Sequence, residues 1–557
     1  MTNSLCFSIS DQRPTYRGPR QEQRLTKNYV AGFNHHHAAV LENYQLTFAE
    51  GSIVVIADTP NGKSNLGAFR NRKLRGTVIL AAALPAVAVA LNGRGSLNRV
   101  PEHEQKSRAD QLKRANDRTA AQVMAEVLQT GVETLLVGEE VVIQSAITEG
   151  VRVKPGYEAG GNPTISVGAL FGKQEHRAGY GITLPPSVTL LTMGNDVIDG
   201  TTKSIKGLHS SLTALFVTES YAKRHLPDIY VQRWMAGAPF GEFNPREVGL
   251  LDAARTIADA YGMKTVEELT AFFLDRDRHH PAIQTLNSAG IATPTDKDGD
   301  LFPGIVLGLQ GLQYPNGRGL SSMIGEIGGS AEWAVGVLPL VWRGGQAIGM
   351  LTSQTTLTNK KLTPEEMWQA RFHYTEEEYM LIQDARFEQK PYFTIEDIIE
   401  NPFAGGISVF GAITDNYHFP DLTGVVVDIE HKRIHANALV INSLGIVELW
   451  KLVFHCEKSI EDTARAMTSP KERLGDLRGK DLEQVIFTML DDPRLRKRLR
   501  IFFNNEYYPA LIPVREKLVV LNKALEGLIE RGALQDIDRE IVRAVTSCAP
   551  EWFYANE

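Results

Sequence analysis

The sequence predicts a layered α/β fold, and two observations carry that prediction. From Gly76 onward, segments with apolar residues at helical spacing alternate with short β-branched runs, which is typical of helices packed on a sheet rather than of a bundle or a β-sandwich. Acidic and basic residues collect where the predicted strands end, the position at which open α/β sheets usually bind ligands. We therefore expect the functional site to lie along one edge of a sheet.

Bulk composition excludes several classes of protein. The chain has 557 residues, of which 43% are hydrophobic and 22% charged, as in a soluble globular protein of about two to four domains. Its formal net charge of -7 gives no general attraction to nucleic acid or to an anionic membrane. The 3 cysteines are far apart and lack metal-ligand or redox spacing, which favours a reducing compartment. We expect a cytoplasmic protein without nucleic acid or membrane partners.

Changes in pattern along the chain predict three regions. These are an N-terminal extension over residues 1–75, a core over 76–455 with its metal-bearing half at about 76–240 and a second half at about 241–455, and a C-terminal helical domain over 456–557. The last region is assigned because apolar residues share one helical face at 482–489 and again at 518–528. The most apolar stretch, 78–91, is too short to span a bilayer, so we predict a buried helix there.

Individual elements follow from periodicity and from turn residues. A helix is predicted over 118–131, where Gly131 ends the periodic pattern. The predicted strands are 52–56 in the extension and 134–137, 187–192, 212–217 and 269–274 in the core. We expect the stretch after 187–192 to be a turn with Gly200 and Thr201 at its tip.

Acids gather at the ends of these predicted elements. They are Asp117 ahead of its helix, Glu139 and Glu140 after strand 134–137, Asp196 and Asp199 after strand 187–192, and Glu332 in the glycine-rich segment 325–336. Close carboxylates repel one another unless a cation lies between them. Mg²⁺ and Mn²⁺ prefer such hard oxygen ligands. Each acid alone is also explained as a helix cap or a surface charge, so the prediction of a metal site depends on their convergence.

The order of these motifs resembles a known family. Asp117, Gly138-Glu139-Glu140, 196-DVIDGT-201 and 331-AEWA-334 together resemble the lithium-sensitive, metal-dependent phosphatase superfamily that includes inositol monophosphatase. Within it, the likeness is to class II fructose-1,6-bisphosphatases, carried by 84-LPAVAVALNGRGS-96, 227-PDIYVQRWMAG-237, 274-LDRDRHHPAIQTLNSAGI-291, 298-DGD-300 and 328-GGSAEWAVGVLPLVWRGGQAIGML-351. The resemblance implies an α-β-α-β-α sandwich of the sugar-phosphatase type, hydrolysis of a phosphate monoester with two or three Mg²⁺ or Mn²⁺ ions, and a homo-oligomer.

Carried over residue by residue, the resemblance also implies roles at the site. The implied metal ligands are Asp117, Glu139, Asp196, Asp199 and Glu332, with the Ile198 carbonyl as a backbone oxygen. The implied catalytic residues, which would position and deprotonate a water, are Thr201, Asp117 and Glu139. The implied substrate contacts are Asp199, Gly200, Thr201, Tyr230, Arg276, Asp277, Arg278, Asp298, Gly299, Asp300 and Gly329.

The two arginines indicate the class of substrate. On an extended segment, Arg276 and Arg278 would present their side chains on one face and could grip a second, non-reacting phosphate. A bisphosphate is therefore favoured over a monophosphate. Fructose 1,6-bisphosphate is the leading candidate, and sedoheptulose 1,7-bisphosphate is the next.

Two departures from the family pattern leave an alternative open. The segment 138-GEEVVIQS-145 has no acid where the family has Asp, and 93-GRGSLN-98 lacks the family Lys. The stretch 98–116 looks like an insertion. A divergent relative that acts on another sugar phosphate, or that binds sugar phosphates in a regulatory role, therefore remains possible.

Three weaker signals compete with the phosphatase interpretation. The run 57-ADTPNGKS-64 resembles a degenerate phosphate loop, with 425-VVVDIE-430 as an acid-ended strand, but a nucleotide site needs Gly at Ala57 and a long helix directly after Ser64. The triplet 35-HHH-37 is predicted to be a surface cluster. The segment 296–307 has Leu307 where a calcium loop needs Glu.

Overall fold

The fold is built around one large, mostly antiparallel sheet. The computed structural model describes residues 46–57 and 65–456, except 137, 151–161, 180–183, 224–225, 310–311, 314–318, 388–389 and 429, together with three short strands nearer the N-terminus. The strands are β1 (Cys6–Ser8), β2 (Thr15–Tyr16), β3 (Gln21–Arg24), β4 (Leu46–Ala57), β5 (Val141–Thr148), β6 (Leu170–Phe171), β7 (Thr189–Asp199), β8 (Leu212–Thr218), β9 (Tyr230–Ala236), β10 (Phe273–Leu274), β11 (Thr293–Asp296), β12 (Leu312–Gln313), β13 (Ser322–Gly329), β14 (Gln346–Thr352), β15 (Gly406–Ala412), β16 (Val426–Asp428), β17 (Arg433–Asn442) and β18 (Val447–Cys456). Among the described residues, the large sheet has ten strands in the order β3-β4-β18-β17-β15-β8-β7-β5-β6, with β16 paired to β17.

One parallel pair in this sheet determines where the site forms. Strands β5 and β7 run parallel, with Thr148 opposite Asn195, whereas β7 and β8 are antiparallel. Because parallel strands end at the same edge of a sheet, the residues that follow β5 meet those at the end of β7. The backbone N–H of Glu149 donates to the Asn195 carbonyl at 3.2 Å, which closes this edge.

Two long helices cover one face of the large sheet. The helices are α1 (Arg72–Asn92), α2 (Glu102–Glu133), α3 (Gln174–Gly179), α4 (Thr201–Lys206), α5 (Leu250–Ala260), α6 (His280–Ser288), α7 (Leu301–Val306), α8 (Ser330–Trp342), α9 (Gln354–Leu357), α10 (Pro364–Gln369), α11 (Glu376–Asp384) and α12 (Ile395–Ile398). Helix α1 begins where the Asn71 side chain accepts a hydrogen bond from Lys73 N at 2.9 Å, and it packs against α2 and β15. By length and composition Arg72–Arg99 would fit a membrane span, but 89% of its apolar window is buried in this fold.

A second sheet lies beyond the opposite face. Strands β13, β9 and β14 form an antiparallel three-stranded sheet, and α8 contacts strands of both sheets. Side chains alternate on β8: Leu215 and Val217 join the core with α1, whereas Ala214 and Phe216 join the core with α8. Apolar residues on the other face of β13-β9-β14 pack with α5 and α6. The predicted mixed α/β architecture with a large sheet is confirmed.

The predicted elements meet different outcomes. Strands 52–56 and 212–217 and the buried helix at 78–91 are confirmed, lying within β4, β8 and α1. The prediction of a strand over 134–137 is wrong, because α2 continues to Glu133 and the strand begins at Val141. The predicted turn after residue 192 is also wrong: β7 continues to Asp199, and α4 follows directly. Of the strand predicted over 269–274, only Phe273–Leu274 is a strand.

Several predictions fall wholly or partly outside the described residues. Of the predicted C-terminal helical domain, 456–557, only Cys456 is described, and it ends β18. The rest of that region, the His35 triplet and most of the phosphate-loop-like run lie outside the described residues. Strand β4, which belongs to the predicted N-terminal extension, pairs with β18 in the large sheet. The division into three regions stays a prediction.

Candidate active site

The junction of β7 and α4 places Asp196, Asp199 and the Thr201 hydroxyl close together in the chain. Asp196 and Asp199 are 3% and 4% exposed at the end of β7, and Gly200 begins α4 with φ +77°. A side chain at Gly200 would be strained in this left-handed conformation and would bring a Cβ to 3.0 Å from the Ser210 carbonyl oxygen. The Thr201 hydroxyl lies 3.2 Å from Asp117 Oδ1 and 3.1 Å from the Ile198 carbonyl oxygen, and it can donate to either.

Helix α2 brings Asp117 to this junction. Asp117 lies in the middle of the helix, not ahead of it, because residues of the supposed insertion 98–116 form the first turns of the same helix. The neighbouring Asn116 donates from Nδ2 to Ser204 Oγ at 2.8 Å, which ties α2 to α4. Asp117 is buried, so its carboxylate reaches the site from a rigid element.

Glu139 requires a correction. Glu139 is exposed and does not line the cavity that contains the other acids, whereas Glu149 does. The reason is the position of β5: Glu139 and Glu140 precede this strand, and Glu149 follows it. Eight residues of strand span roughly 26 Å, so the two ends of β5 cannot serve one site. Glu140 instead accepts hydrogen bonds from Lys173 Nζ at 2.9 Å and Gly138 N at 2.6 Å.

Glu332 enters the site from the first turn of α8. Gly329 is the N-cap of this helix, so the Glu332 carboxylate lies near the positive end of the helix dipole. Among the described residues, its Oε2 atom is buried without a hydrogen-bond partner. A carboxylate oxygen in that state indicates a site that is electrostatically incomplete.

The acids of α2, β7 and α8, together with Glu149 and Thr201, line one cavity of about 300 Å³. Of the predicted site residues, it is lined by Asp117, Asp196, Asp199, Gly200, Thr201, Tyr230, Arg276, Arg278, Asp298, Gly299, Asp300, Gly329 and Glu332. Glu139 and Asp277 do not line it; Asp277 is exposed at the start of a 3-10 turn.

Burial and mutual repulsion raise the pKa of several of these carboxyls. Burial, followed by repulsion from Glu149 and Asp199, raises the pKa of Asp196 well above its ordinary value. Burial and repulsion from Asp300 do the same to the pKa of both Asp199 and Glu332. Deeper in the fold, burial raises the pKa of Glu326 to about 7, although Arg233 opposes the shift. The cavity therefore holds several carboxyl groups whose ionisation is opposed by burial and by one another.

The donor set fits a divalent cation. The cavity is lined by carboxylates from α2, β7 and α8 and by Glu149 after β5. Carboxylate oxygens are the hard ligands that Mg²⁺ and Mn²⁺ prefer. A bound cation would also relieve the repulsion between these carboxylates. In the described part of the chain, no three His, Cys, Asp or Glu side chains are already gathered as a ligand shell. The acids thus line one cavity but are not drawn together into a ligand shell. Such separation is expected of like charges that repel one another.

These raised pKa values predict that the metal-free protein loses stability as the pH rises. Such carboxyls hold protons more tightly in the native state than in the unfolded chain, so their stabilising contribution is complete below the ordinary pKa and is lost as the pH passes the raised value. For Glu326 the change from 4.5 to about 7 corresponds to about 3 kcal/mol. With EDTA present, we expect the melting temperature to fall between about pH 5 and pH 8. Mn²⁺ should raise it, and more so at pH 8; a flat profile would contradict this expectation.

Basic groups line the same cavity as the acids. Arg276 is extended and its side chain is 43% exposed, 3.6 Å from Asp298 Oδ1. Arg278 lies in a 3-10 turn, is 8% exposed, and places its guanidinium carbon 4.6 Å from the Tyr230 ring centroid. The prediction that both arginines lie on one extended segment is therefore wrong, although both line the cavity.

The sequence interpretation missed basic residues on α2. Lys113 and Arg114 line the cavity from the turn of α2 that precedes Asp117, and Lys113 Nζ is 4.0 Å from Asp110 Oδ1. The sequence analysis compared only 93–98 with the family segment that contains Lys, and it treated 98–116 as an insertion without a role in the site. The i, i+4 spacing of Lys113 and Asp117 on one helical face was the signal that could have identified it.

The two histidines beside the arginines lie away from the cavity lining. His279 is fully buried, and its Nδ1 lies 2.7 Å from the Leu274 carbonyl oxygen. His280 is half exposed, with Nε2 3.8 Å from Asp275 Oδ1.

Comparison with known proteins matches part of the chain to one family. Residues 188–444 match the family described as "Bacterial fructose-1,6-bisphosphatase, glpX-encoded". Two curated relatives from Synechococcus sp., strains JA-3-3Ab and JA-2-3B'a(2-13), each named D-fructose 1,6-bisphosphatase class 2/sedoheptulose 1,7-bisphosphatase, are 28% identical over 161 residues. That alignment covers 28% of this chain and 43% of each relative.

The fold and cavity define a class of mixed α/β protein in which carboxylates from several elements line one cavity beside a threonine hydroxyl. Over part of its length, residues 188–444 in the family match, the chain is similar to class II fructose-1,6-bisphosphatases. The predicted family resemblance is confirmed.

Proposed function

We propose that this chain hydrolyses the 1-phosphate ester of a sugar bisphosphate, with fructose 1,6-bisphosphate as the leading substrate and sedoheptulose 1,7-bisphosphate as the next. One observation carries the proposal: the same cavity of about 300 Å³ is lined by a cluster of acids with Thr201 and also by the cationic side chains of Arg276 and Arg278. A substrate with one phosphate that reacts and a second that is only bound can use both sets of groups.

Thr201 is the residue best placed to handle the attacking water. If its hydroxyl donates to Asp117 Oδ1 at 3.2 Å, its lone pairs remain free to accept a hydrogen bond from water. In the proposed step, the water oxygen bonds to phosphorus while the bond from phosphorus to the sugar oxygen breaks. The proton of the water passes to Thr201 as the Thr201 proton passes to Asp117, and the sugar oxygen takes a proton from solvent.

The acids would hold the divalent ions that the family resemblance implies. The proposed ligands are Asp117, Glu149, Asp196, Asp199 and Glu332, with Glu149 taking the place first predicted for Glu139. When bound, Mg²⁺ or Mn²⁺ would supply positive charge to the phosphoryl oxygens and lower the pKa of a ligated water. The number of ions, two or three, is part of this proposal.

Other residues that line the cavity would bind the sugar and the second phosphate. Arg278 donates from Nε and Nη2 to the Ile327 carbonyl at 3.1 and 2.8 Å, which holds its guanidinium against Tyr230 with Nη1 left over for an anion. Asp298 accepts from Thr202 N at 3.1 Å, so the 298–300 loop is fixed beside α4. Asp298 and Asp300 carry acceptors suited to sugar hydroxyls.

We predict that Arg278→Ala raises the KM for fructose 1,6-bisphosphate about 10-fold or more and changes kcat little, because a contact with the non-reacting phosphate is shared by the ground and transition states. Steady-state kinetics measure this split. Arg255→Ala, which removes an exposed arginine paired with Asp252 on α5, is the control. An unchanged KM would remove Arg278 from the second-phosphate role.

A panel of sugar phosphates assayed with Mg²⁺ and with Mn²⁺ tests the function itself. Metal-dependent phosphate release from a bisphosphate, suppressed by Li⁺, supports the proposal. Tight binding without turnover would favour the divergent sugar-phosphate-binding relative. ATP hydrolysis that is lost in Lys63→Ala would favour the nucleotide alternative.

The same proposal includes the α-β-α-β-α layering and a cytoplasmic homo-oligomer. The layering is supported by the packing of α8 against strands of both sheets and of α5 against β13. The net charge of -7 and the dispersed cysteines support the cytoplasmic location.

A further inference from the structure

Asp300, which lines the cavity, belongs to a buried ion-pair network whose other members, Arg233 and Glu326, have no role in the proposed chemistry. Arg233 on β9 and Glu326 on β13 are 1% and 0% exposed. Arg233 Nη2 lies 2.8 Å from Asp300 Oδ2, and Arg233 Nε lies 3.0 Å from Glu326 Oε2. One guanidinium thus bridges a carboxylate that lines the cavity and a carboxylate that does not.

The backbone is shaped to make this bridge. Glu326 stands directly opposite Arg233 in the antiparallel pair, after a register shift between Ile324 and Glu326. Gly325 has φ +79° at this bulge, a conformation that favours glycine. A bulge adds one residue to its strand, so it changes which face the following side chains point to, and here it turns Glu326 towards Arg233. At Gly328, an added Cβ would overlap both Asp300 and Arg233, so glycine leaves the room that this ion pair occupies.

Arg233 is the main charged partner of Glu326. His279 approaches Glu326 Oε1 to 3.7 Å, but its Nε2 accepts from Ile327 N at 2.9 Å while its Nδ1 lies 2.7 Å from the Leu274 carbonyl oxygen. These contacts define the neutral tautomer with the proton on Nδ1. Burial also lowers the pKa of His279 well below its ordinary value, so His279 brings no positive charge to Glu326.

Arg233 also reaches the helix that carries Glu332. Its Nη2 donates to the Gly329 carbonyl at 3.3 Å, at the N-cap of α8. Replacing Arg233 would therefore release two walls of the cavity together, the 298–300 loop and the start of α8.

We propose that Arg233, held in place by Glu326, is a positioning residue that fixes Asp300 for contact with the sugar of the substrate. The part that concerns the sugar rests on the proposed function. Neither residue lines the cavity, so both act through residues that do: Arg233 through Asp300 and Gly329, and Glu326 through Arg233.

The test combines two readouts on Arg233→Lys and Glu326→Gln. A lysine keeps the charge but offers a single point of contact, so it cannot bridge Asp300, Glu326 and Gly329 together. We expect kcat/KM for fructose 1,6-bisphosphate to fall between about 10- and 100-fold in Arg233→Lys, chiefly through KM, and by less in Glu326→Gln. Hydrogen exchange in the peptide covering 296–302 should become faster in both variants.

A matched control is Arg75→Lys, which alters another partly buried ion pair, with Glu448, away from the cavity. Its melting temperature should fall while KM and exchange in 296–302 stay unchanged. Unchanged exchange and KM in Arg233→Lys, with only a lower melting temperature, would overturn the positioning role. The two ideas can also fail separately. If the wild-type protein hydrolyses no bisphosphate but exchange in 296–302 is still faster in the variants than in wild type, the positioning of the loop is supported and the proposed function is rejected.

Discussion

Asp199→Asn is expected to abolish phosphate release while making the metal-free protein more stable. Asp199 is 4% exposed at the end of β7, and burial together with repulsion from Asp300 raises its pKa well above the ordinary value. An amide of the same shape removes this electrostatic cost but binds a divalent ion far more weakly. Since loss of a supporting residue around a ligand already costs 10- to 100-fold, we expect a loss of more than about 100-fold in kcat/KM.

Two measurements check this expectation. Calorimetry in EDTA at about pH 8 should give a higher melting temperature for Asp199→Asn than for wild type, and the rise caused by Mn²⁺ should shrink. Asp252→Asn is the control, because Asp252 is exposed and pairs with Arg255 on the surface. Near-normal turnover by Asp199→Asn would remove this residue from the site.

The second large effect separates two glutamates. Glu149→Gln is expected to lower kcat/KM by more than about 100-fold and to weaken Mn²⁺ binding, because Glu149 lines the cavity and repels Asp196. Glu139→Gln should leave both quantities within about 2-fold of wild type, since changes at exposed positions have small effects.

This pair serves as its own control, because both variants make the same chemical change at opposite ends of β5. Steady-state kinetics and titration of the metal-free protein with Mn²⁺ measure the outcome. The reverse result, with Glu139→Gln inactive and Glu149→Gln normal, would contradict the structural assignment.

The contrast between these glutamates shows what the sequence could predict. Local patterns were sufficient for β8 and α1, where the periodicity of apolar residues reports burial directly. They were misleading at 134–137, where an apolar run directly after the end of a long helix looked like a strand. A short apolar run cannot be assigned to helix or strand by periodicity alone. The choice of Glu139 came from the family resemblance, and placing a strand before it rather than after it gave no reason to look for an acid at the exit of β5.

Convergence of distant groups could be predicted only through the family resemblance. Asp117 reaches the cavity because α2 packs beside α4, and Glu332 reaches it because α8 packs against strands of two sheets. Neither packing arrangement can be predicted from local sequence patterns. The Arg233 network was missed for a related reason. Arg233 and Glu326 are 93 residues apart, and the register that makes them partners depends on one bulge at Gly325.

The central claim is that acids from separate elements hold divalent ions beside Thr201 and thereby hydrolyse a sugar bisphosphate. The most direct measurement is inorganic phosphate released from fructose 1,6-bisphosphate by the full chain, first in EDTA and then after Mg²⁺ or Mn²⁺ is restored. We expect no release in EDTA and recovery with metal. Release that continues unchanged in EDTA, or no release from any bisphosphate with either metal, would contradict the account.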